Sequence, residues 1–314
     1  MPRFITPSLI TLAALLTACS GQETSAAAHA EAQAKAEETQ EAPKPVLSFE
    51  TIGENLHVIF GSGGNVGVST GEDGIIIIDD KFERNAEEIL STLKTLSDQP
   101  LRYVLNTHYH GDHTGSNIQM KETGATIMAH DNVRKRMGMT FENKVFGRVT
   151  EARDPESWPT LTFSDTATLY FNGHQVNVIH APNAHTDGDS IIKFVEANVI
   201  HMGDNYFNGL FPYVDVDGGG SLNGMIAAHS AALDMADGNT KIIPGHGPMA
   251  TKADLEEARA LLMTIKERVE LGLKQGKSAD DLVNENILQD YSKYASFINE
   301  ENMIRIAYRS LSEQ

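Results

Sequence analysis

Cysteine is almost absent, with Cys19 the sole one in 314 residues. That excludes a disulfide-stapled scaffold and any zinc site built from cysteine clusters. Positive charge is scarce as well, 25 Lys and Arg against 43 Asp and Glu, for a formal net charge of −18. Such a chain lacks the basic footprint that grips a phosphate backbone, so nucleic acid is not an expected partner. The short run Arg134, Lys135, Arg136 does not alter this. Beyond the N-terminal region no uninterrupted apolar run reaches the roughly 18 residues of a membrane-spanning helix. At 40% hydrophobic residues, the remainder still has enough apolar side chains to bury a core.

The N-terminal region reads as a targeting segment. Arg3 supplies a positive charge, Ile5 to Ala18 a short apolar stretch, and Leu16-Thr17-Ala18 a small-residue end, so residues 1–18 are expected to be a signal peptide. Cys19 follows at once, and Leu-x-Ala-Cys resembles the bacterial lipobox, in which the chain is cut before the cysteine and lipid is attached to it. This implies an exported lipoprotein on the periplasmic side that meets a membrane only through its anchor at Cys19. A diacylglyceryl group supplies the more-than-one chain that stable anchoring needs. Ser20 is non-acidic, which in the resembling lipoproteins goes with the outer membrane. Residues 19–45 are Ala/Glu-rich without an aromatic and end at Pro43 and Pro45, the composition of a flexible tether. Residues 46–314 then form one domain, with additional helices from about 251.

Within that domain, β-rich runs at Phe49–Ile52, Leu56–Phe60, Val66–Ser69 and Gly74–Asp79 are separated by glycine-rich turns, a meander. The spacing of Ala86, Ile89, Leu90, Leu93 and Leu96 predicts a helix over 85–96, followed by a strand at Tyr103–Leu105. A second series has strands at Ala167–Phe171, Gln175–His180, Ser190–Phe194 and Val199–Met202, a helix over 222–235 and a strand at Lys241–Ile243. Thr251 with Asp254 and Ser278 with Asp281 predict capped helix starts, and Met303, Ile304, Ala307, Tyr308 and Leu311 a final amphipathic helix. Sheets with helices outside them make a layered α/β sandwich.

The chemistry is concentrated just after the Tyr103 strand, in Asn106-Thr-His108-Tyr-His110-Gly-Asp112-His113-Thr-Gly115. Three imidazoles and a carboxylate in so short a stretch are costly to bury without a partner, and they match the nitrogen and oxygen ligands of zinc. His108 and His110, two apart on an extended strand end, can share one ion, while Asp112 and His113 beyond Gly111 can turn to a second. Further donors stand at later strand ends, each in a glycine-containing loop: His185, Asp204 and His246. Five of the 12 histidines therefore fall at strand ends in one consistent order.

With these residues in place the sequence resembles the metallo-β-lactamase superfamily over residues 49–250. The resemblance implies a four-layer αββα sandwich with two zinc ions at one edge, iron or manganese being the alternatives. It implies that His108, His110 and His185 hold the first ion, Asp112, His113 and His246 the second, and that Asp204 bridges them. Asp79 and Asp80 match the acidic position that supports the ligand loop by hydrogen bonds. His57, His130, His174, His180, His201 and His229 match no ligand position and are expected to be structural or on the surface. The mechanism implied is attack on a small-molecule substrate by a hydroxide shared between the ions, with Asp112 orienting it, His246 on the catalytic side, and no protein nucleophile.

The substrate is less determined. The β-lactamases of the best-known zinc subgroup have Cys at the position of Asp204 and Lys three residues on, where this chain has Phe207. The loop corresponding to their hairpin over the site is Gly61-Ser62-Gly63-Gly64-Asn65. Having both His113 and Asp204 is closer to the glyoxalase II, lactonase and phosphodiesterase members. Export favours β-lactam hydrolysis as the leading expectation, with lactone, ester or phosphoester hydrolysis as the alternative. A mononuclear-iron persulfide dioxygenase is a further alternative, whereas His110 speaks against the diiron relatives, which have Glu there. Substrate contacts are expected from the segment between Asp131 and Pro159, from 205–220 and from the C-terminal helices. Phe207, Phe211 and Tyr213, with Tyr206 and Trp158, are the candidates for a pocket wall. The sequence does not determine the oligomeric state.

Overall fold

The computed structural model describes residues 47–313, within a compact unit spanning Pro45–Gln314. The expected signal peptide, Cys19 and tether lie outside the described residues. Fourteen strands are present among those described: β1 Ser48–Gly53, β2 Leu56–Phe60, β3 Val66–Gly71, β4 Gly74–Ile78, β5 Leu101–Leu105, β6 Thr126–His130, β7 Phe141–Asn143, β8 Arg148–Thr150, β9 Leu161–Phe163, β10 Thr166–Phe171, β11 His174–Ala181, β12 Asp189–Phe194, β13 Val199–Phe207 and β14 Lys241–His246. The helices are α1 Ala86–Leu96, α2 Gly111–Thr114, α3 Asn117–Glu122, α4 Asp131–Met137, α5 Leu222–Met235, α6 Lys252–Lys274, α7 Ala279–Asn284 and α8 Glu300–Ser312.

Two large sheets organise the chain, in the orders β1-β2-β3-β4-β5-β6-β9 and β10-β11-β12-β13-β14. The first begins as the expected antiparallel meander and becomes parallel from β4 onward. The second is antiparallel except for the β13–β14 pair. β4 shows why the sheets are sandwiched: Gly74-Ile-Ile-Ile-Ile78 has no polar alternation and is buried on both faces, as a strand covered on both sides requires. Ile76 and Ile78 face the second sheet, packing with Val176, Val178, Ile192 and Phe194. Ile75 and Ile77 face outward onto Ala86, Ile89 and Leu93 of α1. The outer face of the second sheet, with Ile191, Ile200 and Ile242, is covered by Leu222 and Met225 of α5, Leu255 and Ile265 of α6, and Met303 of α8. The result is the αββα order. The capping boxes at Thr251 and Ser278 are both formed.

Two expected strand ends need correction. β13 does not stop at Met202 but continues to Phe207, because register shifts at Gly203 and Phe207 let it stay beside β14. β14 likewise extends to His246. The segment 131–159, for which the sequence indicated no elements, carries α4 and a separate β7–β8 hairpin, elements too short to leave a periodic signature. No helix among the described residues is long and apolar enough to cross a membrane.

Candidate metal centre and its cavity

The C-terminal ends of β4, β5, β13 and β14 meet at one edge of the sandwich. At the end of β4 the chain turns with Asp79 at φ 65°, and its buried carboxylate reaches the loop after β5. Asp79 Oδ1 accepts from Thr107 N at 2.7 Å, and Oδ2 accepts from Thr107 Oγ1 at 2.8 Å. Gly203 in β13 lies so close to this loop that a Cβ there would stand 2.5 Å from Thr107 Oγ1. Only glycine permits that approach.

These ties place all seven sequence-identified donors together. His108, His110, His185 and Asp204 form one group and Asp112, His113 and His246 another, with the donor atoms in each within 4.8 Å of one another. The two groups abut, since Asp204 Oδ1 lies 3.0 Å from His113 Nε2 and 3.4 Å from His246 Nε2, while Asp204 Oδ2 lies 3.5 Å from His185 Nε2. Asp112 Oδ2 is 3.3 Å from His246 Nε2.

The outer ring nitrogens decide what the inner ones can do. His110 Nε2 donates to Asp215 Oδ2 at 2.9 Å, His113 Nδ1 to Asp79 Oδ2 at 2.7 Å, and His185 Nδ1 to the Tyr213 carbonyl at 2.7 Å. Carboxylates and carbonyls only accept, so each neutral ring must turn a lone pair inward. His108 follows the same rule: the Thr107 hydroxyl proton is committed to Asp79, so Thr107 Oγ1 accepts from His108 Nδ1 at 3.0 Å. The inward atoms are thus acceptors facing acceptors. His110 Nδ1 lies 2.9 Å from His185 Nε2, and buried His108 Nε2 has no hydrogen-bond partner among the described residues. Converging lone pairs in a water-poor pocket repel one another unless a cation lies between them. The electrostatics call for positive charge at the same place, whether a metal ion or a proton on histidine supplies it. Burial would push the Asp204 carboxyl up, but His113, His246 and His108 hold it well below the usual carboxylate range. Burial would lower His113, yet Asp204, Asp112 and Asp79 draw a positive charge to it. The donor set therefore fits divalent metal, and the supporting hydrogen bonds are those that orient metal-ligating histidines.

Of the two acidic residues expected to support the loop, Asp79 bonds a donor histidine directly. Asp80 instead accepts from Ser116 N at 2.9 Å. His201 and His229, outside the cluster, are buried and tie to the carbonyls of Asn65 and Asn205. His130 and His180 stack on each other at 3.6 Å, and His57 and His174 lie away from the site. Sequence reasoning missed Asp215 and Tyr109: Asp215 Oδ2 also accepts from the Tyr109 hydroxyl. The one available signal for Asp215 was the Asp215-Val-Asp217 run leading into the Gly218-Gly-Gly220 turn.

A cavity of about 600 Å³ opens beside the cluster, and Asp112, Asp204 and His246 face it. Phe207, Phe211 and Tyr213 line it as expected, with Phe207 stacked on His246 at 5.1 Å. Tyr206 and Trp158 do not. Tyr206 points from the alternate face of β13 toward His229, and Trp158 lies under Arg134 behind α4. Residues of the β7–β8 hairpin and Phe297, just before α8, complete the wall. The loop 61–65 closes one side: Asn65 Nδ2 donates to the carbonyls of Pro244 and Gly247, and buried Lys81 donates to the Gly64 carbonyl at 2.6 Å.

A family model described as the metallo-beta-lactamase superfamily matches residues 60–248. A hydroxyacylglutathione hydrolase from Nitrosococcus oceani is 27% identical over 176 residues, 52% of this chain and 59% of the relative, so the chain spans about three-fifths of that relative's length. Among solved structures, a metallo-beta-lactamase from Pontibacter korlensis superposes with a TM-score of 0.59 at 17% identity, covering 69% of this chain and 99% of that one. A stereoselective inverting sec-alkylsulfatase from Pseudomonas sp. gives 0.60 at 14% identity, covering 84% and 50%.

Proposed function

The chain belongs to the metallo-β-lactamase superfamily, and from that premise and the site's geometry we propose that it is an exported dizinc hydrolase with the β-lactam amide as its leading substrate. The observation that carries the metal part is the convergence of inward lone pairs, His110 Nδ1 on His185 Nε2 above all. When bound, two divalent ions in such a site lower the pKa of a shared water toward about 7 and polarise the bond to be cleaved. His108, His110, His185 and Asp204 would hold one ion and Asp112, His113 and His246 the other, with Asp204 between them.

The chain's own residues do the rest. Asp112 lines the cavity, where its carboxylate can accept the proton of an attacking water and fix its direction. His246, held flat against Phe207, lines the same cavity. The aromatic wall excludes water and binds the apolar part of a substrate. The targeting segment and Cys19 support action on the periplasmic side from a lipid anchor, with contact to the membrane only through that anchor.

Ester or thioester hydrolysis is the second reading, favoured by the hydroxyacylglutathione hydrolase likeness. Steady-state hydrolysis of a chromogenic cephalosporin by the zinc-loaded full chain, before and after chelation and with Asp204→Ala, tests the proposal. A metal-dependent kcat/KM above roughly 10⁴ M⁻¹s⁻¹, the lower edge of ordinary enzymes, supports β-lactam cleavage. A much smaller rate that still depends on Asp204 transfers the proposal to esters and lactones. Activity indifferent to chelation overturns it.

A further inference from the structure

We propose that the cavity is a site for organic anions, in which Arg153 holds a carboxylate whose apolar body lies along the aromatic wall. This rests on reading that cavity as the substrate site. Arg153 follows the β7–β8 hairpin and is fixed at both backbone ends: its N–H donates to Met137 O at 2.7 Å, and Trp158 Nε1 donates to its carbonyl at 3.1 Å. Its side chain runs back to the donor loop. One guanidinium nitrogen donates to Thr114 Oγ1, and the other is so near the backbone of Gly111 that a Cβ there would lie 3.4 Å from it. The guanidinium therefore stands next to the stretch that carries His110 and Asp112, and it lines the cavity.

A guanidinium has five N–H donors in a planar fork, and here a single hydroxyl is the acceptor the structure provides. Arg136, Arg268, Arg305 and Arg309 each have an aspartate at 2.5–2.7 Å. Arg153, half-buried, has no carboxylate within 4.0 Å among the described residues. Asp80 and Asp112 reach it only through space, against a burial that disfavours its charge. A half-buried charge with an unused fork is costly unless an anion completes it. Arg148 adds a second guanidinium at the cavity rim, over the Phe146 ring at 4.9 Å. In a chain of net charge −18, neither guanidinium has a carboxylate within 4.0 Å among the described residues, because the carboxylates that line the same cavity, Asp112, Asp204 and Asp215, are turned to His246, His113 and His110. Phe141, Phe146, Phe207, Phe211 and Phe297 supply the surface for the rest of the ligand.

Naphthalene-2-carboxylate and naphthalene-2-carboxamide share a ring system and differ in charge. Their binding to the full chain is measured by ligand fluorescence, zinc-loaded and after chelation. The carboxylate should bind at least tenfold tighter than the amide in both states, and Arg153→Gln should remove most of that preference. Arg102→Gln, on the exposed side of β5, should leave it intact. In the chelated wild type the preference should also fall several-fold at 0.5 M salt, which decides the matter if Arg153→Gln does not fold. Equal binding of the two ligands, a preference that survives Arg153→Gln, one indifferent to salt, or one that vanishes on chelation would each overturn the proposal. Because these are binding measurements, absence of turnover would sink the hydrolase reading and leave this one standing.

Discussion

Asp79→Asn keeps the shape of the residue that joins the two loops of the site and removes one acceptor. Asparagine tolerates the left-handed backbone at φ 65°, so the effect should lie in the side chain. Asp79 accepts three hydrogen bonds: from Thr107 N on Oδ1, and from Thr107 Oγ1 and His113 Nδ1 on Oδ2. An amide can satisfy one face only. If its oxygen replaces Oδ2, the NH₂ confronts the buried Thr107 N–H, and an unsatisfied donor costs about 1–3 kcal/mol of stability. If its oxygen replaces Oδ1, the NH₂ confronts His113 Nδ1. His113 must then carry its proton on Nε2, which closes the lone pair it turns toward Asp204. Loss of such a supporting partner costs about 10–100-fold in metal affinity. Chelator competition for zinc affinity, paired with urea unfolding of the metal-free protein, reads both branches. A variant with wild-type affinity and wild-type stability would refute the reasoning.

The remaining predictions probe other parts of the account. Gly64→Ala would bring a Cβ within 2.1 Å of His113 Cε1, so zinc affinity and kcat/KM should each fall at least tenfold without any donor being changed; titration and kinetics check this. His229 is buried, donates to Asn205 O at 2.7 Å, and is lowered by burial from 6.5 to about 4. It is neutral in the fold, so its contribution is present above the unfolded value and is lost as pH falls through the folded one. Between pH 7 and 5 the unfolded chain takes up the proton first, which removes about 2 kcal/mol of stability. His229→Gln retains an N–H for Asn205 and should flatten that part of the drop in urea titrations at the two pH values. Phe297 is 65% exposed, so Phe297→Ala should change stability by less than about 0.5 kcal/mol. It should nonetheless raise KM for substrates with an apolar body, as parallel melting and kinetics would show.

The donors could be read from the sequence because each stands at or near the C-terminal end of an apolar strand and close to a glycine, where chain order alone fixes its end of the sheet. The αββα layers were legible for a similar reason: buried runs such as Gly74–Ile78 carry their own signal. Asp215 and Arg153 were not legible. Each acts through a partner 105 or 39 residues away, on His110 and Thr114, and nothing local to either marks that contact. The pocket wall was half legible. Phe207 is fixed by its distance from Asp204, but Tyr206 and Phe207 could be assigned to opposite faces only once β13 was known to continue past Gly203.

The claim that the seven donors form a dimetal centre is tested most directly by the metal content of the purified full chain beside that of Asp204→Ala. The account predicts two equivalents of zinc per chain in the wild type and a clear loss in the variant, since Asp204 lies between the two groups. A single equivalent of iron, or wild-type metal content no higher than that of Asp204→Ala, would contradict it.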